Sequence, residues 1–307
     1  MIPFTIPLTV VALGGMFCER SGVVNIALEG IMIISASASI FFINAMQSTL
    51  SGQSLLILAM LVAALTGIAF SLLHAYASIT AKANQVISGT ALNLFAVSFH
   101  VFVARMVYSV EGVRFLNDQF RIDKVPILGD IPFFGEVFFT RAYITTFIGL
   151  AILIIASFVL FKTRFGLRLR ACGEHPQAAD SVGINVYKIR YIGVMISGAL
   201  AGLGGLMLVI PSYTEFTGDV AGYGFLALAV LIFGQWNPKK IFLAAIFFGL
   251  MKTLSNSTGL SAIAALNINP YFFRIMPYLA TLAVLNFTSK KSAAPRAAGE
   301  PYDQGKR

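Results

Sequence analysis

The chain has 307 residues, 57% of them hydrophobic and only 11% charged, with a mean hydropathy of +0.82. A soluble domain is about 45 to 50% apolar, so the composition excludes one and predicts an integral membrane protein. The net charge of +9 does not point to nucleic acid, because the basic residues lie in short clusters between apolar runs and not on one patterned face.

A spanning helix needs about 20 mainly apolar residues. Nine stretches supply them: 2–18, 26–46, 55–77, 86–107, 142–161, 191–211, 220–236, 241–254 and 271–287. The first, seventh and eighth are short or interrupted by glycine, so the expected fold is an all-α, polytopic transmembrane helical bundle of about 8–10 spans. The N-terminus is apolar from its first residue and lacks the basic region and small-residue cleavage site of a secretory signal. The first stretch is therefore expected in the mature protein. Cys18 and Cys172 fall in membrane or cytoplasmic positions and imply no disulfide framework.

Lys and Arg concentrate in short cytoplasmic loops. Placing 162–190 inside and alternating outward puts the N-terminus outside and the C-terminus in the cytoplasm, and 15 of the 22 Lys and Arg then fall on cytoplasmic segments. Loop 109–141 becomes external; its acidic residues outnumber its basic ones, and Pro126, Gly129 and Pro132 predict turns rather than a second domain. Residues 1–287 read as one transmembrane domain and 288–307 as a polar cytoplasmic tail.

The first polar interruption is 18–30, CERSGVVNIALEG. Ionisable groups at membrane depth are costly, so Glu19, Arg20 and Glu29 either line an aqueous path, pair, or sit at an interface. Gly14, Gly15, Gly22 and Gly30 permit a broken helix whose ends offer amides and carbonyls to a polar solute. A plain turn also fits, with Glu19 and Arg20 solvated and Asn25 capping the second helix. Asn93, seven residues into the fourth stretch, is ~10 Å deep at about 1.5 Å per residue; it can bond a solute or a neighbouring helix.

The run 162–190 carries six basic residues against Glu174 and Asp180. Pro176 suits a first helical turn, 177–182 can form about two turns, and Gly183 can take the left-handed conformation that ends a helix. This predicts a short helix at the membrane surface, a candidate docking element; a solvated loop with one incidental turn fits the spacing as well. In GALAGLGG (198–205), Gly198 and Gly202 suit close helix packing. Trp236 with Asn237, Pro238, Lys239 and Lys240 reads as an interfacial aromatic beside a basic turn, and Lys252 and Arg274 as side chains that snorkel to an interface.

No nucleotide-hydrolysing motif is present: GLMKT (249–253) lacks the glycine before its lysine and the spacing that would cradle phosphates. His74, His100 and His175 lack metal-ligand spacing. Neither an enzyme acting alone nor a cofactor or metal bound by this chain is expected.

The runs ERSGVVNIALEG (19–30), GEHPQAADSVGIN (173–185), GYGFLALAVLIFGQWNP (222–238) and the tail APRAAGEPYDQGKR resemble the permease subunits of ABC importers of the simple-sugar and nucleoside group. Within that group they are most similar to permeases that work with basic-membrane-protein-type lipoproteins and import purine nucleosides. The resemblance covers nearly the whole chain, with the four motifs in order. It implies half of a translocation path, with a second permease, paralogous or identical, enclosing the other half in membrane lipid. An ABC ATPase subunit that holds the ATP and Mg would dock beneath, and an external substrate-binding lipoprotein would deliver solute. It also implies that 173–183 is the ATPase-coupling segment, with Gly173, Glu174, Pro176, Ala178, Ala179, Asp180 and Gly183 on the motif, and that Asn25 and Glu29 lie near the path. Riboflavin and simple sugars remain alternatives to nucleosides. A secondary transporter driven by an ion gradient is the alternative of another class; it needs an ionisable pathway group, for which this chain offers Glu29 and Glu19.

Overall fold

A computed structural model of the chain describes residues 1–116, 118–125, 140–256 and 293–305, with isolated positions between them. Among the described stretches the α-helices run in order: α1 (Ile2–Arg20), α2 (Leu28–Met46), α3 (Gly52–Ala75, continued by a π turn over Tyr76–Thr80), α4 (Gln85–Tyr108), α5 (Ile144–Lys162), α6 (Arg164–Glu174), α7 (Pro176–Ser181), α8 (Val186–Ser212), α9 (Tyr223–Phe233) and α10 (Pro238–Asn256). Among the described residues, six are long and apolar enough to cross a membrane: α1, α2, α3 with its π turn, α4, α5 and α8. At 11 residues α9 rises only ~16 Å and cannot span alone. The predicted ninth stretch, 271–287 with Arg274, lies outside the described residues, as do the first residues of the expected tail and most of the middle of loop 109–141.

The helix α8 is the axis of the bundle, packed against α1, α2 and α3. The lipid tails around a membrane bundle are as apolar as its core, so close van der Waals approach does the packing, and the glycines of 198–205 provide it. A Cβ at Gly198 would collide with the Gly67 carbonyl and Ser71, one at Gly202 with the Ala63 carbonyl, and one at Gly205 with the backbone of Met32. The packing role expected for this run is what the structure shows.

Helix starts follow local chemistry. Asn84 caps α4 by accepting from the amides of Val86 and Ile87 (2.9 and 3.1 Å), and Asn185 caps α8 through Lys188 (2.9 Å), as short polar side chains do for helix amides left without carbonyl partners. The chain turns at two ends. One, called here the basic end, holds Arg20, Lys82, Lys162, α6, α7 and the start of α8. The other holds residues 109–116 and 118–125, where β1 (Val113–Arg114) pairs antiparallel with β4 (Glu215–Phe216), and β2 (Arg121–Lys124) with β3 (Thr140–Tyr143); the turns expected at Pro126, Gly129 and Pro132 lie outside the described residues. Arg114 donates from Nε to Glu215 at 2.9 Å across the first ladder. A cleft of about 660 Å³ opens beside it, lined by residues including Asn44, Gln47, Asp118 and Thr214.

Candidate coupling and translocation sites

At the basic end, α6 and α7 form a braced knob. Thr163 caps α6, its Oγ1 accepting from the Gly166 amide at 3.1 Å, and α6 buries Gly166, Leu169, Cys172 and Gly173. Gly173 sits against the Arg20 carbonyl so closely that a side chain there would collide with it. Glu174 pairs with Arg20 at 3.5 Å. His175 leaves helical geometry at φ −144°, and Pro176 opens α7 at a position where its missing amide hydrogen is no loss. The helix ends at Gly183, φ +82°, with the Gly183 amide on the Asp180 carbonyl (2.9 Å) and the Ile184 amide on the Ala179 carbonyl (3.1 Å). This paired termination requires a left-handed residue, which glycine adopts without steric cost. The short helix expected from Pro176 and Gly183 is therefore present, and the alternative of a loop with one incidental turn is not.

Of the coupling residues named from the sequence, Pro176 and Ala179 turn inward and are buried, Glu174 and Asp180 are half-buried, and Ala178 and Gly183 are exposed. The outer face adds residues not singled out before: Gln177, Ser181 and above all Val182, which is 75% exposed. An apolar side chain so exposed on a rigid turn suits a partner's groove. The signal for it was present in the spacing, since Ala178 and Val182 are four apart and share a helix face.

Deeper in the bundle, the interruption between α1 and α2 is held by side chains from three other helices, α3, α4 and α8. Backbone groups freed at membrane depth must be satisfied by the protein itself, and they are. Val24 donates its amide to Gln85 Oε1 (2.7 Å), and its carbonyl lies 3.0 Å from His74 Nε2. Asn25, fully buried, donates from Nδ2 to Ser197 Oγ (2.9 Å) and accepts from the Ala27 amide (3.1 Å). Asn93 donates to the Ile26 carbonyl (2.9 Å) and accepts from the Gly30 amide (2.7 Å). Glu29 caps the start of α9, its two carboxylate oxygens accepting from the amides of Gly222 (2.9 Å) and Gly224 (2.5 Å). A carboxylate at a helix N-terminus is favoured by the unpaired amides and the helix dipole together. Asn25, Glu29 and Asn93 thus gather around one broken-helix junction, next to Tyr223, over whose ring the Lys252 ammonium lies 5.6 Å from the centroid.

Two expectations change here. Glu19 and Arg20 are not a solvated turn: Glu19 is 8% exposed and accepts from the Trp236 indole at 2.6 Å, and Arg20 donates to the Trp236 carbonyl. Trp236, 5% exposed, is correspondingly no interfacial anchor; its N–H is spent on a buried carboxylate. Among the described residues no group of three or more His, Cys, Asp or Glu is placed to hold a metal ion.

Comparison with known proteins follows the same outline. A family model described as branched-chain amino acid transport system / permease component matches residues 2–285. The guanosine ABC transporter permease protein NupQ of Bacillus subtilis is 44% identical over 305 residues, covering 99% of this chain and 95% of that protein. The nucleoside ABC transporter permease protein NupC of Lactococcus lactis is 41% identical over 307 residues, 100% and 96% of the two chains. The nucleoside ABC transporter permease protein NupB of the same organism is 26% identical over 258 residues, 80% and 69%. No solved structure matches. The chain, a multi-pass helical bundle matched over almost its full length, belongs to the family of the branched-chain amino acid transport system permease component.

Proposed function

We propose that the chain is the permease subunit of an ATP-driven ABC importer of nucleosides, providing one half of the translocation path and converting ATPase movement into opening of that path. The observation that carries this reading is the end-to-end similarity to two relatives named for guanosine and nucleoside transport, at 44% and 41% identity. The geometry fits the task. The knob α7 presents Gln177, Ala178, Ser181 and Val182 to a partner and leads within a few residues into α8, the axis of the bundle, so a push on α7 has a short route to the core.

In this reading the basic end faces the cytoplasm, as the distribution of Lys and Arg supports. An ATPase subunit carrying ATP and Mg docks on 173–183, and the chain itself hydrolyses nothing. A second permease completes the path; similarity to both NupC and NupB of one organism favours a paralogue as that second subunit. The polar cleft beside Arg114 and Glu215 is the meeting place for a substrate-binding lipoprotein. The junction of Asn25, Glu29 and Asn93 borders the path, its side chains holding the broken helix ends that shape it. The test is uptake of radiolabelled guanosine by proteoliposomes holding this chain with its ATPase, second permease and substrate-binding lipoprotein. Uptake that needs ATP and survives an ionophore supports the proposal; uptake abolished by the ionophore and indifferent to ATP contradicts it.

A further inference from the structure

We infer that the C-terminal segment 293–305 is a strap that positions the coupling helix, with Tyr302 and Arg190 as its positioning residues. The inference rests on the assignment of α7 as the coupling helix. The sequence gives this segment no apolar periodicity, yet it is threaded across the whole basic end. The Ala293 amide donates to Gln235 Oε1 in the turn after α9 (2.9 Å). The Ala297 amide donates to the Gly173 carbonyl (2.9 Å) and the Gly299 amide to the Gly22 carbonyl (3.2 Å). Asp303 pairs with Lys82 (3.2 Å) in the loop after α3. Gln304 reaches Asp180 Oδ2 of α7 at 3.5 Å. Ala297 and Tyr302 are 5% and 4% exposed, so the strap is packed into the end of the bundle.

Its centre is Arg190, one turn into α8 and 1% exposed. A buried cation is stabilised by partners, and the strap supplies one hydrogen bond and one ring, while Nε and Nη2 have no hydrogen-bond partner among the described residues. Arg190 Nη1 donates to the Glu300 carbonyl (2.9 Å), the one hydrogen bond of this side chain among the described residues, and its guanidinium lies 5.9 Å from the centroid of the Tyr302 ring. That ring meets Tyr187 edge-on at 5.3 Å, and the Tyr187 hydroxyl donates to the Tyr302 carbonyl (3.4 Å). Burial, with the neighbouring Asp180 carboxylate, raises the Tyr302 phenol to about 12, so it stays a neutral donor. Gly22 completes the seat, because a side chain there would meet the guanidinium.

The consequence is mechanical. On its own chain α7 hangs between an extended His175 and the left-handed Gly183, two joints about which a six-residue helix can pivot. The strap ties both sides of those joints, Gly173 before and Asp180 within, to Arg190 of α8 and to the Gly22 turn that leads into the α1–α2 junction. With the strap in place, movement of α7 drives α8; without it, movement is lost in pivoting.

The test uses the whole transporter in proteoliposomes and reads nucleoside taken up per ATP hydrolysed, alongside the ATPase that co-purifies. Tyr302→Ala and a chain ending at residue 292 should retain the ATPase and hydrolysis but lose uptake per ATP by roughly fivefold or more, the low end of measured coupling free energies. Tyr302→Phe, which keeps the ring on Arg190 and Tyr187 and loses only the hydroxyl's hydrogen bond to Asp180, should retain most of the coupling that Tyr302→Ala loses. Should the shortened chain fail to reach the membrane, Tyr302→Ala against Tyr302→Phe decides alone. Unchanged uptake per ATP in Tyr302→Ala overturns the strap, and so does loss of the ATPase from that variant, which would make the segment a docking surface. An unaltered chain that brings no ATPase overturns the functional reading, and the strap with it.

Discussion

The coupling knob and the α1–α2 junction are both polar breaks in an apolar chain, but they are built on opposite principles. The knob is specified locally: Thr163, Pro176, Gly183 and Asn185 each cap, start or stop a helix within a few residues of themselves. The junction is specified at a distance, its groups met by Gln85, Asn93, Ser197 and Gly222, which lie about 60 to 200 positions away in sequence. A locally built element can move as a unit while keeping its shape, which suits a part that transmits force. An element closed by distant partners changes shape whenever those partners shift, which suits a gate.

This contrast can be broken by substitution, and the junction should suffer most. Glu29→Ala leaves the buried Gly224 amide and the partly buried Gly222 amide at the start of α9 without this acceptor, at about 1 to 3 kcal/mol for the buried one; a lower midpoint in thermal unfolding of the detergent-solubilised protein would register it. Asn25→Ala strands the Ser197 hydroxyl and the Ala27 amide, and Trp236→Phe strands Glu19; each lost partner should cost about 1 to 3 kcal/mol by the same measure. Gly183→Val should reverse the pattern. It strains one exposed left-handed residue by about 1 to 2 kcal/mol, leaves the bundle in the membrane, and separates hydrolysis from uptake. Equal coupling in Gly183→Val and the unaltered transporter would remove the functional half of the comparison.

The smallest expected effect concerns Cys172. Burial pushes its thiol up to about 11, opposed in part by Arg190. The folded protein then holds this proton through a range in which the unfolded chain, ordinary value 9.0, releases it. Its contribution to stability is therefore complete below about pH 9 and is lost as pH rises toward 11. Maleimide labelling at neutral pH should find Cys172 and Cys18 unreactive, both being buried free thiols; rapid labelling of Cys172 would show that α6 stands away from the bundle.

Most of the bundle was legible from apolar stretches of spanning length, and α7 from Pro176 and Gly183, because these signals are local. Glu19 and Trp236 were misjudged for the opposite reason. Each looks like an interfacial residue when its neighbours in sequence are read, and only the fold, which brings positions 19 and 236 within 2.6 Å, shows that they satisfy each other. The role of the tail was hidden in the same way: Tyr302 stands among polar and small residues, and nothing nearby reveals that its ring closes over Arg190. Val182 was within reach, since it shares a face with Ala178, but an apolar residue in a membrane protein does not by itself declare which surface it serves.

The most direct measurement places a photo-activated cross-linker on Val182→Cys, the exposed tip of α7, in the complete transporter; the two native cysteines are buried and do not compete. A cross-linked product joining this chain to the ATPase subunit, weakened when nucleotide changes the docked state, is the result the account predicts. A Val182 position that never captures the ATPase, in a complex where a cross-linker on another surface of the chain does, would contradict it.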